Sequence, residues 1–284
     1  SAGLVSAGSV IGPVIPPSIG FVLFGVVGGV SISKLFLAGI FPGLLLAMGL
    51  CIAWWWVARR EDVKRQPRAS WTQVFRALLD GFWALMLPVI IIVGLRFGIF
   101  TPTEAGVVVA VYSLFVATCI YRELKLSDLY GVFLNAAVTT SVVMFLVAAA
   151  LVSSWLITVA EITQQVVDLL RPFMDNRILL MLAIMVVVVI VGTALDMTPT
   201  ILILTPILMP VIREAGILFI INNSIGLITP PVGVVLNVVC GVSHISMEDI
   251  IRGVWPFLLA QLGVLLMLVL FPWLVTGPAK WFGG

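Results

Sequence analysis

A glycine followed four residues later by two adjacent prolines occurs twice in this chain, 214 positions apart. The copies are Gly12-Pro13-Val14-Ile15-Pro16-Pro17-Ser18-Ile19-Gly20 and Gly226-Leu227-Ile228-Thr229-Pro230-Pro231-Val232-Gly233. Each interrupts a long apolar stretch. Adjacent prolines remove two backbone donors and clash with the preceding turn, so a helix carrying them breaks there. At membrane depth a break is tolerated only where protein or a polar cavity covers the freed backbone. Paired breaks in corresponding halves of a chain mark a transporter's binding site. The surroundings are those of a membrane: 62% of the 284 residues are hydrophobic, 10% are charged, and the mean hydropathy is +1.24. A soluble domain is far less apolar. The apolar residues come in long runs and not in short alternating segments, so the expected fold is an all-α polytopic membrane protein rather than a barrel. Cys51, Cys119 and Cys240 are too scattered for a disulfide framework or a zinc site. The opening Ser1-Ala2-Gly3 lacks an initiator methionine, a basic n-region and a cleavage site, so no signal peptide is visible and a fragment of a larger domain is expected.

Charge orients the spans. Arg59, Arg60, Lys64, Arg65 and Arg68 follow Trp54-Trp55-Trp56, a basic loop beside an aromatic belt that marks the cytoplasmic side. Arg122 and Lys125, next to Tyr121, mark a second cytoplasmic loop. From these anchors, residues 31–57 run inward, 80–97 outward, 105–120 inward and 130–156 outward, and the more polar 158–175 is expected to be amphipathic. The stretch 178–212 is interrupted by Gly192-Thr193-Ala194-Leu195-Asp196-Met197-Thr198-Pro199-Thr200. Arms of about 12–15 residues cannot cross a core of about 30 Å at about 1.5 Å per residue, so a re-entrant hairpin is predicted, with Arg177 and Arg213 at its mouth. The second Pro-Pro unit, 218–243, then runs inward and 250–275 outward, whereas residues 1–29 run outward. The two broken units are therefore antiparallel.

The repeat extends past the prolines. Gly39 and Pro42 keep to Gly253 and Pro256 the offset that relates Gly12 to Gly226, which makes an inverted structural repeat the expected architecture. The second unit has a hairpin before it, and symmetry predicts a partner hairpin N-terminal to Ser1.

Four stretches carry a resemblance to a known family: Ile11-Gly12-Pro13-Val14-Ile15-Pro16-Pro17-Ser18, Gly98-Ile99-Phe100-Thr101-Pro102-Thr103-Glu104-Ala105, Asp196-Met197-Thr198-Pro199-Thr200-Ile201-Leu202-Ile203-Leu204-Thr205-Pro206, and Ile225 to Gly233. They resemble the large membrane subunit of TRAP transporters, the tripartite ATP-independent periplasmic family of carboxylate importers. Gly28-Gly29-Val30-Ser31-Ile32-Ser33-Lys34-Leu35-Phe36 is closer to the sialic acid and sugar-acid branch than to the C4-dicarboxylate branch. Two features depart from the family's pattern: its N-terminal portion is absent, and Ile217 joins Leu218 where several more residues usually link hairpin and broken helix. The resemblance implies an elevator-type fold. Its mobile part would comprise 1–29 and 177–243; 30–176 would be scaffold and connecting helices, and 244–284 a C-terminal scaffold helix. It also implies the bacterial inner membrane, sodium-coupled import of an organic carboxylate, a small membrane subunit and a periplasmic substrate-binding protein as partners, and no nucleic acid.

A broken helix offers carbonyls to a cation at one half-helix end and amides to an anion at the other. The resemblance implies one sodium ion where Asp196 and Thr198 meet Gly226, Thr229 and Pro230, and another at the carbonyls of Gly12, Pro13, Ile15 and Pro16. Asp196, Thr200, Asn223, Ser224 and Ser9 are the candidate substrate contacts, with Ser6 and Asn222 beside them. A carboxylate within an apolar stretch is costly unless paired, hydrated or ion-bound. Asp196 therefore reads either as an ion or substrate ligand, or as a cap accepting from the Thr198 amide. Arg96 and Glu104 read as a salt bridge across an outer turn or as a docking contact for the binding protein. His244 reads as loop packing. Competing readings are a C4-dicarboxylate member of the family, an ion-coupled transporter working without a binding protein, a channel, and a membrane enzyme. The last lacks a second carboxylate or a Ser/His pair, and no phosphate-binding loop for ATP is present.

Overall fold

The computed structural model describes residues 2–60, 69–173, 175–212, 216–231 and 233–282, and the elements formed by these residues are all helical. In chain order they are α1 (Ala2–Ser9), α2 (Ile19–Gly28), α3 (Ile32–Arg60), α4 (Trp71–Asp80), α5 (Phe82–Arg96), α6 (Pro102–Phe115), α7 (Leu129–Val159), α8 (Ile162–Leu170), α9 (Arg177–Ala194), α10 (Met197–Ile212), α11 (Gly216–Gly226), α12 (Val234–Ser243), α13 (Met247–Leu270) and α14 (Trp273–Phe282). Among the described residues four helical stretches are long and apolar enough to cross a bilayer, and the pair α4–α5, bent by 58° at Gly81, makes a fifth. None of the most apolar stretch of α7 is buried. A face of that length and apolarity is stable against lipid and not against water, so the protein is a multi-pass membrane protein.

The chain divides into two compact units, one of residues 1–60 and 146–284, the other of residues 61–145. In the second unit, Ser70 and Gln73 cap α4 reciprocally, and Thr101 and Glu104 do the same for α6, with Pro102 at its first position. Glu104 Oε2 accepts from the Thr101 amide at 2.7 Å and from its hydroxyl at 2.9 Å. The outer-turn glutamate thus closes a helix start. Phe100 folds onto Gly94, where a Cβ would collide with its ring. Tyr112 and Tyr121 donate to the carbonyls of Trp83 and Asp80 at 2.7 and 2.6 Å, tying α6 and the π turn after it to α4 and α5. The expected span at 80–97 is α5, and the amphipathic α4 leads into it through the bend at Gly81.

The first unit holds both breaks and the hairpin. α1 stops before Gly12, and α2 restarts after Ser18, whose hydroxyl accepts from the Phe21 amide at 3.2 Å and donates to the Pro13 carbonyl. α2 ends at Gly29, left-handed at φ 62°, a conformation that glycine adopts without Cβ strain. The second break lies between α11 and α12, and both Pro-Pro bonds, 16–17 and 230–231, are cis. α3 packs over the first break: a Cβ on Gly39 would stand 2.6 Å from the Phe21 ring, and one on Gly43 2.6 Å from Ile15 Cγ1. α13 packs on α1, where buried Gln261 donates to the Ala7 carbonyl at 2.7 Å and Gly3 meets the Gly253 backbone.

Three boundaries differ from the sequence reading. The hairpin is interrupted only at Leu195 and Asp196, so its arms have 18 and 16 residues. Pro199 sits in the first turn of α10, where the missing N–H leaves no intrahelical bond unmade. The amphipathic stretch after 158 is split, because α7 continues to Val159 and α8 starts at Ile162 after a left-handed Glu161. The last span ends at Leu270, and α14 follows Pro272. His244 is the left-handed residue closing α12, its amide donating to the Cys240 carbonyl at 2.9 Å, as a helix-end residue would.

Candidate functional site

The hairpin tip meets both breaks. At the end of α9, a Cβ on Gly226 would lie 2.9 Å from Gly192 Cα, so α9 and α11 touch backbone to backbone. The carbonyl of Thr193 accepts from the Gly233 amide at 3.1 Å, fastening the tip to the far side of the second break. At the start of α10, Met197 fills the space over Gly20 in α2, where a Cβ would collide with its methyl group. The arms thus diverge, with α9 on the second broken helix and α10 on the re-entry helix of the first.

Around the second break, buried amides of α11 hold the hairpin, one along α9 and one at the start of α10. Asn222 Nδ2 donates to the Met185 carbonyl at 2.9 Å, and Asn223 Nδ2 to the Met197 carbonyl at 3.3 Å. Asn223 is completely buried, and its Oδ1 accepts no hydrogen bond from the described residues. A Cβ on Gly192 would stand 3.1 Å from that oxygen. An unpaired buried acceptor is costly; Thr205 Oγ1, Asn222 Oδ1 and Gln261 Oε1 are likewise without a partner among the described residues, and of these four atoms Asn223 Oδ1 is the one set against Gly192. The Thr229 hydroxyl donates to the Ile225 carbonyl at 2.8 Å, which uses its proton and leaves lone pairs. These are hard oxygen donors of the class that binds alkali and alkaline-earth cations. Pro230 is half-buried beside them.

Gly12, Pro13, Pro17, Ser18, Gly20 and Met197 line a cleft of about 360 Å³, together with Ile19, Leu23 and Thr198. Ile19 and Gly20 open α2, and Met197 and Thr198 open α10, so two helix N-termini face one space. Their first amides lack intrahelical acceptors and carry the positive end of each helix dipole. This cleft suits an anion. Asp196 lies in the turn just before α10; it is exposed, and among the described residues its carboxylate makes no hydrogen bond or ion pair. The capping alternative, acceptance from the Thr198 amide, is not formed. Asp196 instead takes part through its carbonyl, which accepts from the Thr200 amide at 3.2 Å and from its hydroxyl at 2.8 Å.

The other candidates divide. Gly12, Pro13 and Thr198 line the cleft, whereas Pro16 is buried and Ile15 packs on Gly43. Thr200 and Ser224 are fully buried and donate to the carbonyls four residues back, at 2.8 Å each. Ser9 is exposed and donates to the Ser6 carbonyl at 2.7 Å, and Ser6 is buried. The geometry brings Thr198, Gly12 and Pro13 to one cleft and Asn223, Gly226 and Thr229 to one break. Thr200, Ser224 and Ser9 line neither. Arg213 lies outside the described residues. The sequence reading missed Gly20, Gly192 and Met197, because glycines that admit a neighbouring backbone and glycines that face open space, such as Gly106, stand in equally apolar helices.

The family model described as "Tripartite ATP-independent periplasmic transporter, DctM component" matches residues 1–274. The 2,3-diketo-L-gulonate TRAP transporter large permease protein YiaN of Escherichia coli is 53% identical over 288 residues, covering 99% of this chain and 68% of that protein. The sialic acid TRAP transporter large permease protein SiaM of Vibrio cholerae is 36% identical over 96% of the chain and 65% of its own length. The C4-dicarboxylate TRAP transporter large permease protein DctM of Pseudomonas aeruginosa is 35% identical over 99% of the chain and 68% of its own length.

Proposed function

The chain belongs to the DctM-component family of tripartite ATP-independent periplasmic transporters, and from that premise we propose that it imports a sugar-acid carboxylate across the bacterial inner membrane, driven by sodium. The family's members are large permeases for organic acids and not enzymes. The observation that carries the substrate reading is the cleft entered by two helix N-termini, α2 and α10, whose dipoles and free amides favour a carboxylate. The 53% identity to the diketogulonate permease favours a sugar acid over a C4-dicarboxylate, which is the runner-up.

Sodium is assigned to the second break, where Asn223 Oδ1 and Gly226 lie against Gly192 near the hairpin tip and the Thr229 hydroxyl follows in the break itself. Gly12 and Pro13 would offer carbonyls at the first break. Asp196 and Thr198 stand on the tip itself, and Thr198 lines the cleft. In this reading the hairpin tip lies between the cation position and the carboxylate cleft, so that an ion ordering the tip at Gly226 would also shape the wall at Gly20. That is a physical route for coupling, because each ligand would favour the same tip position. The broken helices and hairpin would form the moving part of an elevator, working with a small membrane subunit and a periplasmic binding protein.

The test is uptake by proteoliposomes holding the full-length permease, its small subunit and its binding protein, with diketogulonate, sialic acid and succinate in sodium or potassium gradients. Sodium-dependent uptake of a sugar acid is expected. Equal uptake in potassium would remove the sodium assignment. A preference for succinate would select the C4-dicarboxylate reading, and uptake undiminished without the binding protein would remove the tripartite one.

A further inference from the structure

A second cavity, of about 580 Å³, lies away from both breaks, between α3 and α13. Its floor is made of small residues, Gly49 and Ala53 on α3 and Gly263 on α13, and its walls of Trp55, Trp56 and Met267. The two helices touch at Gly49, where a Cβ would stand 2.8 Å from Val264 Cγ2, while a Cβ on Gly263 would meet nothing within 4 Å. The groove is therefore closed at its floor and open along one side. At one end the wall is charged: the Arg59 guanidinium carbon stacks 3.7 Å over the Trp55 ring and that of Arg60 3.7 Å over Trp56. A guanidinium held over an aromatic ring keeps N–H donors for a bidentate acceptor such as phosphate. Both tryptophans line the groove and carry an arginine, so an apolar slot and a phosphate-binding edge meet at the same two side chains.

We propose that this groove holds an anionic phospholipid of the leaflet on the Arg59 side, its phosphate on Arg59 and Arg60 and an acyl chain along Gly263 toward Met267. The positive-inside pattern assigns that side to the cytoplasm, where anionic headgroups and basic pockets pair. The site is independent of the sodium and substrate assignments.

Native mass spectrometry tests it on the purified full-length permease, exposed to equal phosphatidylglycerol and phosphatidylcholine. The wild type is expected to retain phosphatidylglycerol preferentially. Arg59→Gln with Arg60→Gln should lower the preference by about fivefold for one arginine to about thirtyfold for the pair, with neutral lipid still bound. Gly263→Leu, which enters open space, should lower retention of both lipids. Inorganic phosphate alone should displace neither. An unchanged lipid ratio in the double glutamine variant overturns the proposal, as does displacement by free phosphate. So does a Gly263→Leu protein that keeps its lipids and loses a co-purifying polypeptide instead.

Discussion

Gly226→Ala isolates the contact on which the site depends. The added methyl carbon would stand 2.9 Å from Gly192 Cα and 3.0 Å from Gly192 C. Unbonded carbons rest at about 3.5–4.0 Å, so the hairpin tip has to withdraw by about 0.6–1.1 Å. Both opposing atoms are backbone, and no rotamer change relieves them. A withdrawal of that size takes the 3.1 Å bond from the Gly233 amide to the Thr193 carbonyl beyond hydrogen-bond range. Overpacking of this kind costs about 1–3 kcal/mol, which corresponds to about a 5-fold to 150-fold loss in the population of the closed tip. A sodium titration of uptake in proteoliposomes reads this directly: half-saturation should move upward by that factor. Gly241→Ala is the control, since a Cβ there meets nothing within 4 Å, and its titration should coincide with the wild type. Thermal midpoints in potassium distinguish a damaged site from a damaged fold, because bound sodium adds stability only where a site survives. Wild-type half-saturation in Gly226→Ala would refute the reasoning, because the tip would then have no part in holding the ion.

Thr229→Ala and Asp196→Ala are each expected to reduce sodium-dependent uptake strongly with membrane insertion intact, as checked by uptake alongside surface biotinylation. Normal sodium dependence in both would dismiss the two as ligands. Thr200→Val should retain uptake within about tenfold, because its hydroxyl serves only the Asp196 carbonyl in the turn before α10 and loss of one such bond costs about 0.5–1.5 kcal/mol, with Cβ branching kept.

The breaks were legible because proline acts through the local backbone. Two adjacent prolines end a helix whatever surrounds them, and α1, α2, α11 and α12 end and restart around them. The long spans were legible from length and apolarity, and α3 ends on the basic residues that complement its dipole. Contact partners were not legible. Nothing local distinguishes Gly192, which admits the backbone of α11, from Gly106, whose added Cβ meets nothing. Hydroxyl roles were also hidden, because Ser224 and Thr229 occupy equally apolar stretches and both bond the carbonyl four residues back. Ser224 is wholly buried, whereas Thr229 sits beside the break, and only the packing of the tip separates them. The same packing changes the meaning of the repeat. The offset of 214 relates the two breaks as separate halves, yet Met197 on Gly20 and Gly192 on Gly226 join them through one hairpin two residues wide at its turn. The two halves of the sequence therefore meet on a single element of the structure, the hairpin that lies between them in the chain.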